Sequence, residues 1–326
     1  MTPRFPSTDY AFRYRDPPVS GNRINGLGDP ERRRPVQIFH SSGMRRVEWE
    51  LLELFFLLSM PLRLFLPGLI SRWILRRADG PVAAHRLQAS QPAAQAAEIK
   101  EIAMRLGASA VGISEVTDDA LFRNYSTPYR YAISIGYAMD YDEMEHVTGM
   151  RGGIETMRAY IEITRIVVKL AGRIRAMGWP ARAYCESADI LHIPLAINAG
   201  IGQLGKHGSV INREVGSNFR LATVLTDLPM ATDRPVDIGV EDLCLGCRRC
   251  TIDCPADAIS DRKQLVRGIE KWYVDFDKCV PYFVKTFGCG ICIQVCPWSK
   301  PGRGPGLSET HLEKRTSNDP AHATSP

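Results

Sequence analysis

The most apolar part of this sequence, residues 47–77, lacks an uninterrupted span. Its longest uncharged run is Leu54 to Leu62, well short of the about 20 apolar residues of a bilayer-crossing helix. Glu53, Pro61, Arg63 and Pro67 break the stretch. Net charge is missing from most of the chain as well. Residues 1–80 hold 13 arginines and 8 acidic residues, which accounts for the whole formal charge of +5 and leaves the remainder neutral. A neutral remainder argues against a broad nucleic-acid face on the core and sets apart a basic N-terminal extension. Scattered cysteines are absent too: of nine, only Cys185 lies outside residues 244–296. A secreted disulfide scaffold is short and spreads its cysteines, so this distribution reads as metal ligands in a compartment where thiols stay reduced. No internal repeat occurs apart from the two cysteine motifs.

What is present suffices for a sizeable core, since 44% of the 326 residues are hydrophobic. Residues 1–46 are rich in Pro, Gly and Arg without apolar periodicity and read as a disordered basic extension. Residues 47–90 read as an amphipathic helix followed by a linker. Trp49 and Trp73 flank the helix, and Arg72, Arg76 and Arg77 lie at its end. That pattern fits a helix lying in a membrane surface, and equally a helix packed on the core. Arg45-Arg46 stands where a twin-arginine export signal would, yet Val47-Glu48-Trp49-Glu50 places two acids where such signals continue apolar. The expected location is therefore cytoplasmic, with peripheral contact at the inner membrane.

Residues 91–240 mix helix and strand periods. A helix ends near Gly107, strands follow at AVGIS and YAISIGYAM, and a long helix spans 154–177. PARAYC reads as a strand and DILHIPLAINAG as a helix. HGSVINREVGSNFRLATVLTDLP reads as two strands joined across Arg213 to Asn218. Residues 301–326 carry no core signal and read as a disordered tail.

The cysteines form two motifs. The first is Cys244-x2-Cys247-x2-Cys250-x3-Cys254-Pro255, and the second is Cys279-x9-Cys289-x2-Cys292-x3-Cys296-Pro297. In two-cluster ferredoxins the last cysteine of each run ligates the other cluster. The expected sets are Cys244, Cys247, Cys250 with Cys296, and Cys279, Cys289, Cys292 with Cys254. A zinc knuckle would show separate C-x2-C pairs instead. Residues 241–300 are thus expected to form a ferredoxin-type module with two [4Fe-4S] clusters. The turn GIGQLG (200–205) matches G-x-G-x-x-G only formally. A dinucleotide fingerprint needs a strand before it and a helix after, and the order here is reversed.

Ala97 to Trp298 resembles the cobalamin-dependent iron–sulfur reductases, that is, the reductive dehalogenases and the epoxyqueuosine reductases. The resemblance is carried by AAEIKEIAMRLGASAVGIS, YAISIGYAMDYDEM, MRAY (157–160), the stretch from Pro194 to Cys244, and the cysteine runs ending in CPW. TDLPMATDRPVDIGVEDLC is closer to the dehalogenase branch, and CESAD (185–189) is similar to a motif of the epoxyqueuosine branch. Gln203-Leu204-Gly205-Lys206 departs from the Glu-x-Gly-Arg usual in dehalogenases.

The resemblance implies an α+β fold, with a nitroreductase-like corrinoid-binding domain at 91–240 followed by the cluster module. It implies that Gly200, Gly202, Gly205, Lys206 and His207 meet a corrinoid, with neither His192 nor His207 ligating cobalt. It implies catalytic roles for Tyr160 and Glu186 as proton donors and for Arg220 in stabilising the deprotonated tyrosine or an anionic leaving group. The plainer readings are a half-buried tyrosine, an exposed glutamate at a strand end, and an ion pair of Arg220 with Asp227 or Glu214. The function so implied is reductive cleavage of a carbon–halogen bond at a Co(I) corrinoid fed by two clusters. The substrate would be a small organohalide, and the external donor a ferredoxin or flavodoxin. Epoxyqueuosine reduction in tRNA and a non-catalytic electron carrier are the alternatives.

Overall fold

The structure, a computed structural model, describes residues 20–38, 60–88, 91–185, 189–286 and 288–318. Eight strands occur among them: β1 (Ala110–Glu115), β2 (Tyr131–Ala138), β3 (Ala181–Tyr184), β4 (Gln203–Leu204), β5 (Val210–Ile211), β6 (Phe219–Thr226), β7 (Gln264–Val266) and β8 (Ile269–Lys271). Four of them make an antiparallel sheet in the order β1-β2-β6-β3. Successive strand residues point to opposite faces, and both faces of this sheet are covered. Ile133 and Ile135 of β2 and Ala222 and Val224 of β6 face the helices Pro92–Arg105 and Met150–Ala176. Ala132 and Leu225 face the opposite way, toward Leu195 of the short helix His192–Asn198.

The long helix Met150–Ala176 exists because its apolar residues repeat at 163, 166, 167, 170, 171 and 174, all of them buried. It ends where Gly178 adopts φ +81°. Near its start, Gly153 lets the helix Leu62–Leu75 approach, for a Cβ there would stand 3.1 Å from Leu64. The outer side of that second helix leaves Leu62, Leu66, Leu69, Ile70 and Trp73 exposed.

Several sequence expectations need correction. The two strands expected on either side of Arg213 to Asn218 form as β5 and β6, each with other partners: β5 returns to β4, and β6 runs to the centre of the sheet between β2 and β3. Within residues 1–46, described residues 20–38 form an ordered strap rather than a disordered extension. Its short helix Gly21–Asn25 is fixed by Asp277, which accepts from the Gly21 N–H at 2.7 Å, and by Asn22, which accepts from Tyr273 Oη and the Phe276 N–H. Farther along, Arg34 pairs with Asp118 and the Arg123 N–H reaches Pro35 O. The tail expected to be disordered contains the helix Gly304–Asn318, where Leu307 packs against the Trp298 cluster and Arg315 pairs with Asp237 and Asp242. Residues 78–88 are not a loose linker, since buried Arg175 donates to the carbonyls of Arg77 and Ala78. Arg45-Arg46 and most of the apolar stretch before Met60 lie outside the described residues.

After the sheet, the chain forms the cysteine region. It holds the helices Val240–Gly246, Arg249–Ile252, Phe276–Lys285 and Ile291–Gln294, with the hairpin β7–β8 between. Arg267 and Gly268 both take positive φ at the hairpin tip, the geometry of a tight type I′ turn. Among the described residues, no helix is long and apolar enough to cross a membrane.

Leu170 is fully buried between the long helix and the sheet. Leu170→Ala is expected to destabilise the protein by about 2–5 kcal/mol, read as a lower midpoint of guanidinium unfolding followed by circular dichroism; an unchanged midpoint would contradict this packing.

Candidate redox and active site

Strand parity brings the first candidates together. Arg220 of β6 has the parity of Ala222 and Val224, so it faces the long helix, and it lies opposite Tyr137 in the β2 register. From the helix, Tyr160 meets it: Arg220 Nη1 donates to Tyr160 Oη at 3.2 Å, and Arg220 Cζ stands 4.7 Å from the ring centroid. Nη2 donates to Thr156 Oγ1 at 3.3 Å, and the buried Nε has no partner among the described residues. The ion pairs weighed for Arg220 are not formed. Asp227 accepts from the Arg130 N–H, and Glu214 pairs with Arg213. Ala159, beside Tyr160, belongs to one hydrophobic cluster with Met139, Met144, Val147 and with Ile291 and Val295 of the second cysteine motif, so that cluster joins the tyrosine's helix to the motif. Glu186 lies outside the described residues.

The eight cysteines fall into two sets. Among the described residues no cysteine is in a disulfide. Cys244, Cys247, Cys250 and Cys296 line one cavity together with Lys206, His207 and Trp298. At Cys296 burial pushes the thiol upward, and repulsion from Cys244, Cys250 and Cys247 adds to it. Burial likewise pushes Cys250 up to about 12. In the second set, burial lifts Cys279 to about 12, with Cys289 and Cys254 as its charged neighbours, and Cys289 to about 11. Cys292 is raised by burial and by Cys289, Cys279, Cys250 and Cys254. A bound metal would replace the proton on each of these thiols and neutralise the sulfur.

Among the described residues, no three His, Cys, Asp or Glu side chains converge on a single ion. A cubane does not ask for that, since each thiolate meets its own iron. The buried indole N–H of Trp298, on the wall of the first cavity, has no acceptor among the described residues. A cluster sulfur would supply one.

The glycine-rich turn is built into the protein's own packing. A Cβ on Gly202 would stand 2.1 Å from Ile211 O, and one on Gly200, at φ +70°, would stand 2.6 Å from Arg234 O. At Gly205 the nearest atom would be Ile211 Cδ1, at 2.7 Å. These distances explain the glycines without a ligand. Lys206 is 1% exposed and donates from Nζ to Cys247 O at 2.7 Å. Nδ1 of His207 accepts from the Ser209 N–H, so its Nε2–H donates to Ser217 Oγ, and burial drops its pKa to about 4. His192 bridges Thr223 Oγ1 and Cys185 O and is also held down by burial.

Sequence reasoning missed Gln203. Its Oε1 accepts from the Ile238 N–H at 2.7 Å and the Val240 N–H at 3.3 Å, so it caps the approach to the helix carrying Cys244. A Glu at this position, the usual residue of the resembling family, offers the same acceptor, and that was the available signal.

Replacing Cys244 or Cys296 with Ala is expected to abolish one and the same reduced-cluster EPR signal, while Cys254→Ala and Cys279→Ala abolish the other. Iron should fall from about eight to about four atoms per chain in each variant. Loss of different signals in the first two variants would refute the sets.

Residues 243–300 match the 4Fe-4S dicluster domain family. The chain is 31% identical over 177 residues to a tetrachloroethene reductive dehalogenase of Sulfurospirillum multivorans, a match covering 52% of this chain and 35% of that one. It is 34% identical over 136 residues to an epoxyqueuosine reductase of Escherichia coli, covering 36% of this chain and 32% of the relative. Among solved structures, a reductive dehalogenase described in terms of B12-dependent dehalogenation superposes with a TM-score of 0.77 at 25% identity, over 92% of this chain and 47% of that one. The matches thus span about a third of these curated relatives and about half of the solved structure. In sequence and fold the chain is similar to the reductive dehalogenases, and in sequence over a shorter stretch to the epoxyqueuosine reductases.

Proposed function

We propose that the chain is a cobalamin-dependent iron–sulfur reductase of the dehalogenating kind. The observation that carries this reading is the pairing of Tyr160 on the long helix with Arg220 on β6, the helix sharing a hydrophobic cluster with the eight-cysteine region. The relatives named as reductive dehalogenases support it, as does the solved dehalogenase described as B12-dependent. The reaction replaces halogen by hydrogen: R–X, two electrons and one proton give R–H and a halide ion. When bound, a corrinoid supplies a cobalt centre that passes electrons, delivered singly by the clusters, to the carbon–halogen bond. The glycine turn lends no independent support for a flat ligand, because packing already explains it.

The protein's own part is proton supply and charge control. Tyr160 Oη offers the proton. The guanidinium of Arg220 fixes that oxygen at 3.2 Å and stabilises the charge left on it once the proton is given. The spare buried Nε–H of Arg220 fits a departing halide. Glu186 is a second candidate donor on the strength of the CESAD motif. Electrons come from an external ferredoxin or flavodoxin.

Tyr160→Phe should lower corrinoid-dependent dehalogenation by about a hundred- to ten-thousand-fold, the usual worth of a positioned acid, while leaving iron and cobalt content intact. Wild-type turnover in Tyr160→Phe would remove the role. Absence of cobalt from protein made with cobalamin supplied would replace the enzyme by an electron carrier. Turnover of a tRNA stem-loop in place of organohalides would move it to the epoxyqueuosine reaction.

The outer face of the helix Leu62–Leu75 favours contact with a membrane surface. Exposed Leu62, Leu66, Leu69, Ile70 and Trp73 stand among exposed Arg63, Arg72 and Arg76, the composition of an interfacial helix on anionic lipid. The protein should float with anionic liposomes, and Leu66→Glu with Leu69→Glu should leave it in the soluble fraction. Equal flotation of both forms would exclude this face.

A further inference from the structure

Lys206 is a cation sealed inside the protein beside four of the cysteines. It sits in the loop between β4 and β5, closed by the Gly205 N–H to Ser209 O bond at 2.8 Å and by Gly208 at φ +78°. That loop pushes the side chain inward until it is 1% exposed. Nζ donates to Cys247 O at 2.7 Å, on the loop that carries Cys244, Cys247 and Cys250, and stands 5.1 Å from the Trp272 ring. Its acidic partner is Asp261, at 3.3 Å. Asp261 is itself held by Arg248 at 2.6 Å and by Thr251 Oγ1 at 3.0 Å.

A buried charge is expensive, and proteins retain one where it interacts strongly with something else. The carbonyl of Cys247 and a carboxylate one-third exposed are modest compensation for an ammonium with three donors. The sulfurs of Cys244, Cys247, Cys250 and Cys296 share the cavity that its side chain lines, and none of Cys254, Cys279, Cys289 and Cys292 lines it.

We propose that Lys206, with Asp261 as its counter-charge, is the positioning residue that sets the reduction potential of the cluster held by Cys244, Cys247, Cys250 and Cys296 above the value that cluster would otherwise have. The inference rests on the two-cluster reading above. Reduction adds one negative charge to a cluster, and a fixed cation a short distance away in low dielectric favours the reduced form. Asp261 tempers this, so removing its charge should act in the opposite sense. The two clusters are thereby given different potentials by a residue that touches the surroundings of only one. Glycine-turn geometry delivers that cation from the sheet-bearing part of the chain, so the potential is tied to correct docking of the two parts.

The test is an EPR-monitored redox titration of anaerobically purified holoprotein, read as two midpoints, with iron content measured alongside. Lys206→Gln should lower one midpoint and leave the other in place. Lys206→Arg should keep both near wild type, and Asp261→Asn should raise the midpoint that Lys206→Gln lowers. Midpoints that stay fixed in both neutralising variants, or that move together, overturn the proposal. If Lys206→Gln loses iron, Asp261→Asn decides: an upward shift of one midpoint supports the role, and no shift refutes it. Wild-type protein without iron or a cluster signal would instead refute the two-cluster reading, and this inference with it.

Discussion

Eight sulfurs held in two sets of four, mostly out of water, are the constraint on which the rest of this molecule depends. As thiols, Cys244, Cys250 and Cys296 are buried and the others partly so, and burial opposes ionisation at Cys250 and Cys279, up to about 12. As cluster ligands they are anions neutralised by iron, and the same burial then protects the cluster from solvent. Neither set is local in sequence: Cys296 joins Cys244, and Cys254 joins Cys279. Each assembled set therefore pins two distant loops together, much as a cross-link does. This explains how helices as short as Arg249–Ile252 and Ile291–Gln294 persist without cores of their own. Isolated helices of one turn are unstable, and here the ligand loops fix their ends.

The sheet supplies the second requirement, a rigid frame for polar groups. Placing β6 between β2 and β3 buries it on both faces, and the two faces do different work. One parity, Phe219 and Leu221, packs toward Ala196, Ile201 and Val210. The other sends Ala222 and Val224 into the helix-facing core and Arg220 to Tyr160 at the edge of that core. A one-residue slip of register would exchange these faces and take Arg220 away from Tyr160. The geometry of the candidate proton donor is thus a consequence of hydrophobic alternation, which register makes expensive to alter.

Legibility in the sequence followed the same physical divide. The long helix could be read because burial writes a helical period into it, β1, β2 and β3 because they are short β-prone runs, and the cysteine runs because cluster ligation fixes spacing. The neighbour of β6 could not be read. Apolar β-prone residues identify a strand, while Asn212, whose Oδ1 accepts from the Glu214 and Val215 N–H groups, folds the chain locally and sends β5 back to β4. The strap at 20–38 was invisible for another reason. It is held by side-chain and backbone hydrogen bonds to Asp277, Phe276 and Arg267 rather than by an apolar face, and such bonds leave no periodic trace. The helix Gly304–Asn318 hides similarly, anchored by Leu307, Ser308 and two acidic partners of Arg315. For Tyr160 and Arg220 the residues alone offered only plausible polar candidates, and the resemblance supplied the pairing that the geometry then displayed.

The glycine-rich turn has a packing reason for its glycines within the chain itself. Glycines permit close approach, but the approaching atoms are Ile211 O and Arg234 O, both backbone. The residues between the glycines face the cysteine region: Gln203 caps the entry to the Cys244 helix, Lys206 holds the Cys247 carbonyl, and His207 lines the same cavity. Electron transfer between two parts of a protein requires that their separation be fixed. A turn that is glycine-locked on one side and hydrogen-bonded into the ligand loop on the other fixes it. Substituting bulk at Gly202 would therefore not open a ligand pocket. It would push β4 from β5 and shift the residues that join the sheet to the sulfurs.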